Sequence, residues 1–335
     1  MNNRLWFFYF LLFSLIIDNH VSGQNTQIRG FVDAYATKQK DKLSFGLGEQ
    51  DLFITSELND RFSFLGESVF KFSLPSPTTF DVSIERVVLK YNFYGNHNLL
   101  IGKHHTPINY WNDTYHHGRV FFPTIERPLI FAANIIPLHT TGVSLQGLNL
   151  GKIRFGYDLM LGNGLGSNDV MDNDKYKSVT AAIHIKPVEG LRIGSSYYRD
   201  IISKGASVHG MIIDRRMKQQ LITGSLAYFG KHFELLSEST LALNKGDSLG
   251  QKRTIGTYTY GGIKITEKWI PYVRFDFLHY PDGDIFFVKN NTTSFIGGIR
   301  YNINYLAVVK LEYQYDHTQL SGSGNKGTLQ IAIGF

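Results

Sequence analysis

From residue 27 to its last residue the chain repeats one pattern: segments of about ten residues in which apolar and polar side chains alternate, broken by turn formers. In one segment Ile153, Phe155, Tyr157, Leu159 and Leu161 share a face, while Lys152, Arg154, Gly156 and Asp158 share the other. Val273, Phe275 and Phe277 stand likewise against Arg274 and Asp276, and Val309, Leu311, Tyr313 and Tyr315 against Lys310, Glu312, Gln314 and Asp316. A period of two places successive side chains on opposite faces of a β-strand, and no stretch shows a helical period. The chain is therefore expected to be all-β, with every strand wetted on one face only.

The pattern predicts strands over 27–37, 50–58, 61–73, 80–94, 98–106, 139–149, 152–161, 176–187, 190–200, 218–229, 231–243, 252–265, 268–279, 293–303, 306–316 and 326–335. That is about sixteen, an even number, as a single-chain bacterial barrel requires. Tight turns are expected at Asn59-Asp60, Gly95-Asn96-His97, Leu150-Gly151, Val188-Glu189, Gly230, Thr266-Glu267 and Asn304-Tyr305. Between them lie longer connections at 38–49, 74–79, 107–138, 162–175, 201–217, 244–251, 280–292 and 317–325. Strict alternation of short and long connections is the mark of a transmembrane barrel with short periplasmic turns and longer extracellular loops.

Arg4, the apolar run Leu5 to Ile17 and Val21-Ser22-Gly23 have the layout of an export signal cut before Gln24. The run is too short to cross a bilayer as a helix, which needs about 20 residues. Residues 1–23 are thus expected to be a cleaved signal peptide and 24–335 one outer-membrane barrel. With no cysteine, disulfides, thiolate metal sites, cysteine nucleophiles and a lipidated N-terminal Cys are excluded. A formal charge of +6 is too modest to argue for nucleic acid. The 19 Tyr and 25 Phe suffice for aromatic girdles at two membrane interfaces.

Periodicity alone does not say which face points inward. The export signal, the loop pattern and the alternating segment Thr328 to Phe335, which ends on an aromatic residue, fix the sense as apolar outside and polar inside. A barrel of about sixteen strands is too wide for its own side chains to fill, so its interior is expected to hold water.

On these features the chain resembles the Gram-negative porins over residues 24 to 335. The stretch Gly102-Lys103-His104-His105-Thr106-Pro107 is similar to the corresponding strand of phosphate- and polyphosphate-type porins, a short motif that implies no phosphate selectivity. The resemblance implies a passive diffusion channel for small hydrophilic solutes or ions in the bacterial outer membrane, in contact with its lipid. It implies no enzyme activity, no cofactor and no nucleic-acid partner, and it makes a homotrimer a reasonable assembly.

In porins of this type the third extracellular loop narrows the lumen, and the third long connection here, 107–138, is the longest in the chain. Tyr110, Trp111, Tyr115, Phe121 and Phe122 are expected to pack it against the wall, and Pro107, Pro123, Pro128 and Pro137 to stiffen it. Asp113, His116, His117, Arg119, Glu126 and Arg127 are its candidate constriction residues. On the wall, Arg29, Lys152, Arg154, Arg192, Arg274, Arg300 and Lys310 are expected to face the lumen, against Asp33, Asp158, Asp276, Glu312 and Asp316. Rings of basic side chains favour anions, and this slight excess predicts a weak anion preference. The alternative for the loop is an external fold over the mouth or across a neighbouring subunit.

Other motifs carry less. His104-His105, His116-His117 and His139 offer imidazoles, but neighbours on a strand point to opposite faces, so no metal is expected. Gly162, Gly164 and Gly166 followed by Asn168, Asp169, Asp172 and Asp174 do not have EF-hand spacing and read as an external loop. Two other function classes stay open: a barrel hydrolase with an exposed Ser-His pair and a plugged lumen, which no Gly-x-Ser-x-Gly elbow supports, and a surface receptor or adhesin acting through 107–138 and 201–217.

Overall fold

A computed structural model describes residues 25–335 apart from 74–75, 116–117, 134, 166–171, 173, 209–210, 248–249 and 285–289. The expected signal peptide and its cut site lie outside the described residues. In chain order the strands are β1 (Asn25–Gln39), β2 (Lys42–Glu57), β3 (Phe62–Ser73), β4 (Ser76–Tyr94), β5 (His97–His105), β6 (His139–Leu150), β7 (Phe155–Gly162), β8 (Ser178–Ile185) and β9 (Leu191–Ile202). A small separate hairpin of β10 (Ser207–Val208) and β11 (Met211–Ile212) follows. The series ends with β12 (Met217–Phe229), β13 (Phe233–Gly246), β14 (Gln251–Ile263), β15 (Trp269–His279), β16 (Thr292–Asn304), β17 (Ala307–Thr318) and β18 (Gly322–Gly334). All but β10 and β11 close into one antiparallel barrel of sixteen strands.

Closure joins the two ends of the chain. β1 pairs with β18 from Phe31↔Gly334 to Lys38↔Gly327, and Gly30 and Phe335 exchange backbone hydrogen bonds of 2.9 Å in both directions. A side chain at Gly30 would meet the Phe335 ring at 2.4 Å, so glycine there lets the terminal aromatic fold across the seam.

The faces have the expected sense. Ile28, Ile101, Leu159, Ile222, Val273, Leu311 and Ile331 are exposed on the outside, while Asp33, Glu67, Arg274, Asp276, Lys310 and Glu312 are buried on the inside. Aromatic residues gather outside near the end that carries the chain termini, where Tyr94, Phe233, Trp269, Tyr305 and Phe335 are exposed.

Connections at this end run through 58–61, 95–96, 151–154, 186–190, 230–232, 264–268 and 305–306. At the other end the strict alternation expected from the sequence gives way. The connection expected over 38–49 is only residues 40–41, because β1 and β2 pair out to Gln39↔Lys42. Those expected over 74–79 and 317–325 shrink to 74–75 and 319–321, since hydrogen-bonded ladders continue past the band where side-chain alternation is clear. Long connections remain at 106–138, 163–177, 203–216 and 280–291.

The interior is not simply a water-filled lumen. Segment 106–138, which contains the short helices α1 (Tyr110–Thr114) and α2 (Leu129–Ala132), folds into the barrel and buries an apolar core there.

Candidate functional site in the lumen

The infolded segment is cinched where it leaves the wall. The Thr106 amide donates to Leu138 O at 3.0 Å, the Thr106 and Thr140 hydroxyls pair at 2.7 Å, and Asn112 Nδ2 donates to Thr106 O and Leu138 O at 2.8 and 3.0 Å. Just before it, Gly102 holds φ at +128°, and a Cβ there would meet Val87 O at 2.0 Å, so the wall is irregular at this point.

Irregular backbone enclosed in a barrel needs polar partners other than bulk water, and here charged wall residues supply them. Glu238 accepts the Tyr110 amide, the Trp111 amide at 3.1 Å and the Tyr258 hydroxyl. Asp51 accepts Gly118 N–H at 3.2 Å, Glu312 accepts Ile125 N–H at 2.7 Å and Asp276 accepts Leu129 N–H at 3.1 Å. Cations take the carbonyls: Lys310 donates to Arg119 O at 2.6 Å and Thr124 O at 3.2 Å, Arg274 to Glu126 O at 2.6 Å, and Arg300 to Pro123 O at 3.4 Å. Arg274 also pairs with Asp276 at 2.9 Å, and Arg300 Nη2 donates to both carboxylate oxygens of Glu234 at 2.8 and 2.9 Å. The segment thus crosses the lumen from the β13 wall to β1, where Phe121 packs edge-on against Phe31 with centroids 5.3 Å apart.

Beneath it lies a dry half. Ile108, Trp111, Phe122, Ile130, Phe131, Ile135 and Ile136 are at most 2% exposed. They pack against inward residues of β9 to β16, among them Tyr198, Leu221, Leu236, Tyr258, Tyr272, Leu278 and Ile296, with Trp111 edge-on to Phe122 and Tyr258. Ala206, Val208 and Ile213 of connection 203–216 join the same core, so that connection also turns inward.

The other half, beside β1 to β8, is polar and open. A cavity of about 420 Å³ is lined by Glu57, Arg86, Lys90, His104, His105, Asp113 and Asp158. Asp113 pairs with Arg192 at 2.9 Å, Gln146 donates to Asp158 at 2.9 Å, and Arg86 pairs with the buried Glu67. His104 Nε2 lies 3.1 Å from Ser144 Oγ. His104 and His105 both line this cavity at the end of β5. His139 pairs with Glu85 at 3.2 Å nearby.

All six candidate constriction residues belong to the crossing segment, and four of them, Asp113, Arg119, Glu126 and Arg127, are among the described residues. Arg119 is the hub, 3.2 Å from Glu126, 3.6 Å from Asp33 and 3.8 Å from Glu49. Burial alone would lower its guanidinium value, but Glu126, Glu49 and Asp33 raise it overall, so it holds its charge. Arg127 approaches Glu49 at 3.8 Å; burial lowers its value, with Glu49 opposing. Asp113 faces the open cavity, and His116 and His117 lie outside the described residues.

Of the wall candidates, Asp158 and Arg192 stand at the open half, while Arg274, Asp276, Arg300, Lys310 and Glu312 hold the crossing segment. Arg29 lies on the same face as Phe31, where it donates to Gln27 at 2.8 Å. Lys152 and Arg154 differ from expectation: they sit in turn 151–154, with Arg154 at φ +48°, because β7 begins only at Phe155. Glu49, Asp51, Glu67, Glu85, Arg86, Glu234 and Glu238 were not picked out by the sequence reading. Their signal was a charged residue in a strand-forming segment, which does not show that its partner is the backbone of another segment.

No protein-family model matches the chain, and no curated protein matches its sequence. Solved structures do match in fold. The trimer form of in-vitro folded OmpT, an outer membrane protein of Vibrio cholerae, superposes with a TM-score of 0.65 at 13% identity over 94% of this chain and 100% of that one. An anion-selective porin from Comamonas acidovorans gives 0.67 at 11% identity over 93% and 100%. The outer membrane channel DcaP of Acinetobacter baumannii gives 0.68 at 14% identity over 95% and 99%. At such identities the likeness is one of fold: this chain has the barrel architecture of outer-membrane porins.

Proposed function

We propose that the barrel spans the bacterial outer membrane and lets small hydrophilic solutes diffuse through the half of its lumen that segment 106–138 leaves open. The observation that carries this reading is the polar cavity of about 420 Å³ between the crossing segment and the β1–β8 wall, beside a half that is packed dry. Passage is governed by size and by charge at the narrowest section. Asp113, Arg119, Glu126 and Arg127 form the rim on the segment, with Asp158 and Arg192 on the wall. Acids and bases around the passage largely pair with one another, so selectivity is weak, and the expected sign is anionic. Residues 1–23 direct export and are removed, and the mature chain assembles as a homotrimer, the state in which one fold neighbour was solved.

Single-channel recording of the refolded mature chain in a planar bilayer under a salt gradient tests this. Discrete conductance steps support the reading, the reversal potential gives the preferred ion, and a folded, non-conducting barrel refutes it. One observation favours a second reading: His317 Nδ1 lies 3.0 Å from Ser323 Oγ, which also accepts the Tyr315 hydroxyl at 2.9 Å, in an exposed position suited to a surface hydrolase. Ester hydrolysis abolished by Ser323→Ala, with no conductance, would establish it. The receptor reading loses ground because 106–138 and 203–216 turn inward.

A further inference from the structure

The outer wall across β9, β12, β13 and β14 carries a compact group of cations. Arg199 pairs in register with Gln220, Gln220 with Leu243, and Leu243 with Arg253; one row further from the chain termini, Lys218 pairs with Lys245. Their neighbours Tyr198, Gln219, Asn244 and Thr254 are buried in the lumen, so all four cations point outward. Among the described residues no carboxylate forms an ion pair with any of them, whereas Lys177, Arg215 and Arg216 at the same end each have one.

The level of this group on the barrel is informative. Directly below it runs the row Tyr197, Ile222, Leu241 and Ile255, and below that the small side chains of Ser195, Gly224, Ser239 and Thr257. The hydroxyls of this lower row bond within the sheet, as Ser239 does to Thr257 at 2.9 Å, which leaves a shallow trough at the level of lipid chains. Lys218 stands ten residues from Tyr228 on β12, where Tyr228 and Phe233 pack together outside with centroids 4.7 Å apart. Ten residues span about 34 Å of strand, or about 26 Å along the axis at a tilt near 40°, close to the roughly 25 Å height of the apolar band of such barrels. The cations therefore lie at headgroup level, at the boundary opposite the termini.

We infer that this patch binds a diphosphorylated glycolipid of the outer leaflet, its phosphates on Arg199, Lys218, Lys245 and Arg253 and its acyl chains over the trough below. The inference rests on the membrane placement proposed above. Three strand spacings separate Arg199 from Arg253, about 14 Å, which is wider than a single phosphate spans and suits a headgroup bearing two. Cations at such a surface each contribute about a fivefold gain in binding to anionic lipid.

The test uses the folded mature chain in detergent and native mass spectrometry, with diphosphoryl lipid A as probe and phosphatidylcholine as the uncharged control. The parent is expected to retain lipid A and to release phosphatidylcholine. The combined variant R199Q/K218Q/K245Q/R253Q should bind lipid A on the order of a hundredfold more weakly or worse. Because these side chains make no hydrogen bond or ion pair among the described residues, the variant should still run as a folded, heat-modifiable barrel. Equal lipid A retention by a folded variant, or retention of phosphatidylcholine as strong as that of lipid A by the parent, would overturn the inference. Failure of the channel reading shows separately, as absent conductance in a barrel that still binds lipid A.

Discussion

The carboxylate of Glu312, on the wall strand β17, accepts the backbone N–H of Ile125 at 2.7 Å, tying the barrel to a segment far away in sequence. The same Oε1 accepts the Tyr272 hydroxyl at 2.7 Å, so two donors converge on one oxygen. Wall charges that would line the water of an empty barrel here serve as caps for the backbone of the crossing segment. The lumen's charge pattern is therefore partly structural, which leaves the groups around the β1–β8 cavity and those around a second cavity beside Glu234, Glu267, Lys268 and Arg300 to meet a solute.

Glu312→Ala strands both donors in a buried place, at a cost of roughly 1–3 kcal/mol to docking of the segment. The barrel itself should survive, because its ladders are intact. The expected result is a noisier channel with added conductance substates and faster proteolysis within 106–138, measured by bilayer recording and limited digestion. An unchanged current trace and digestion pattern would mean that this bond does not position the segment.

Trp111 is the largest side chain of the dry half, 1% exposed and edge-on to both Phe122 and Tyr258. Trp111→Ala should cost about 3–5 kcal/mol by the cavity it leaves, more than the loss of any one wall bond. With the segment loosened, water reaches the β9–β16 half and mean conductance rises. Tryptophan fluorescence of a Trp269→Phe variant, in which Trp111 is the one tryptophan of the mature chain, should be blue-shifted and poorly quenched by iodide, which checks the buried position independently.

Each strand of the barrel was legible in the sequence because each carries its own two-faced pattern, as β15 does with Val273 and Phe275 outside and Arg274 and Asp276 inside, whereas β10 and β11 lie within the expected connection 201–217. The reach of β1 and β2 was not. Lys40 and Asp41 mark a turn, but Gly46 and Gly48 look like loop punctuation when they in fact clear space across the pair. A Cβ at Gly46 would strike the Tyr35 ring at 2.5 Å, and one at Gly48 the Asp33 carboxylate at 1.9 Å. The dry half was hidden for a different reason. On β14 the inward residues are Tyr258 and Tyr260 and the outward ones Thr257 and Thr259, a local reversal of polarity that makes sense only once Trp111 and Phe131 are known to lie opposite. A long connection rich in aromatic residues and proline signalled that something packs, and no sequence period says against what.

The rim should respond to acid through Glu126. Burial pushes its carboxyl up, but Arg119, and beyond it Lys326 and Arg274, bring it below the ordinary value of 4.5. A depressed carboxylate contributes stability that is fully present above 4.5 and is lost as pH falls through its lowered folded value. Glu126's own contribution to docking is thus expected to be constant from neutrality to about 4.5 and to be lost below it. Glu126→Gln, which resembles the protonated side chain, should remove that part of the acid response and show the parent's acid-weakened docking already at neutral pH. Current noise recorded across pH 3 to 7 for both proteins checks this, and identical acid profiles would assign the response to other carboxylates.

The path of ions can be located with two wall variants of opposite sign. Lys90 and Asp158 both line the open cavity, and neither contacts the dry core. If current flows between the crossing segment and the β1–β8 wall, Lys90→Glu replaces a cation by an anion and moves the reversal potential toward cation preference. Asp158→Asn removes an anion and moves it the other way. The effect of Lys90→Glu should be the larger, since it changes the local charge by two units against at most one, and both should shrink in molar salt, where the screening length falls to about 3 Å. Shifts of opposite sign place the pore on this side. A conducting channel whose reversal potential ignores both residues would put the ion path through the packed half, and the division of the lumen argued from Trp111 and its neighbours would have to be abandoned.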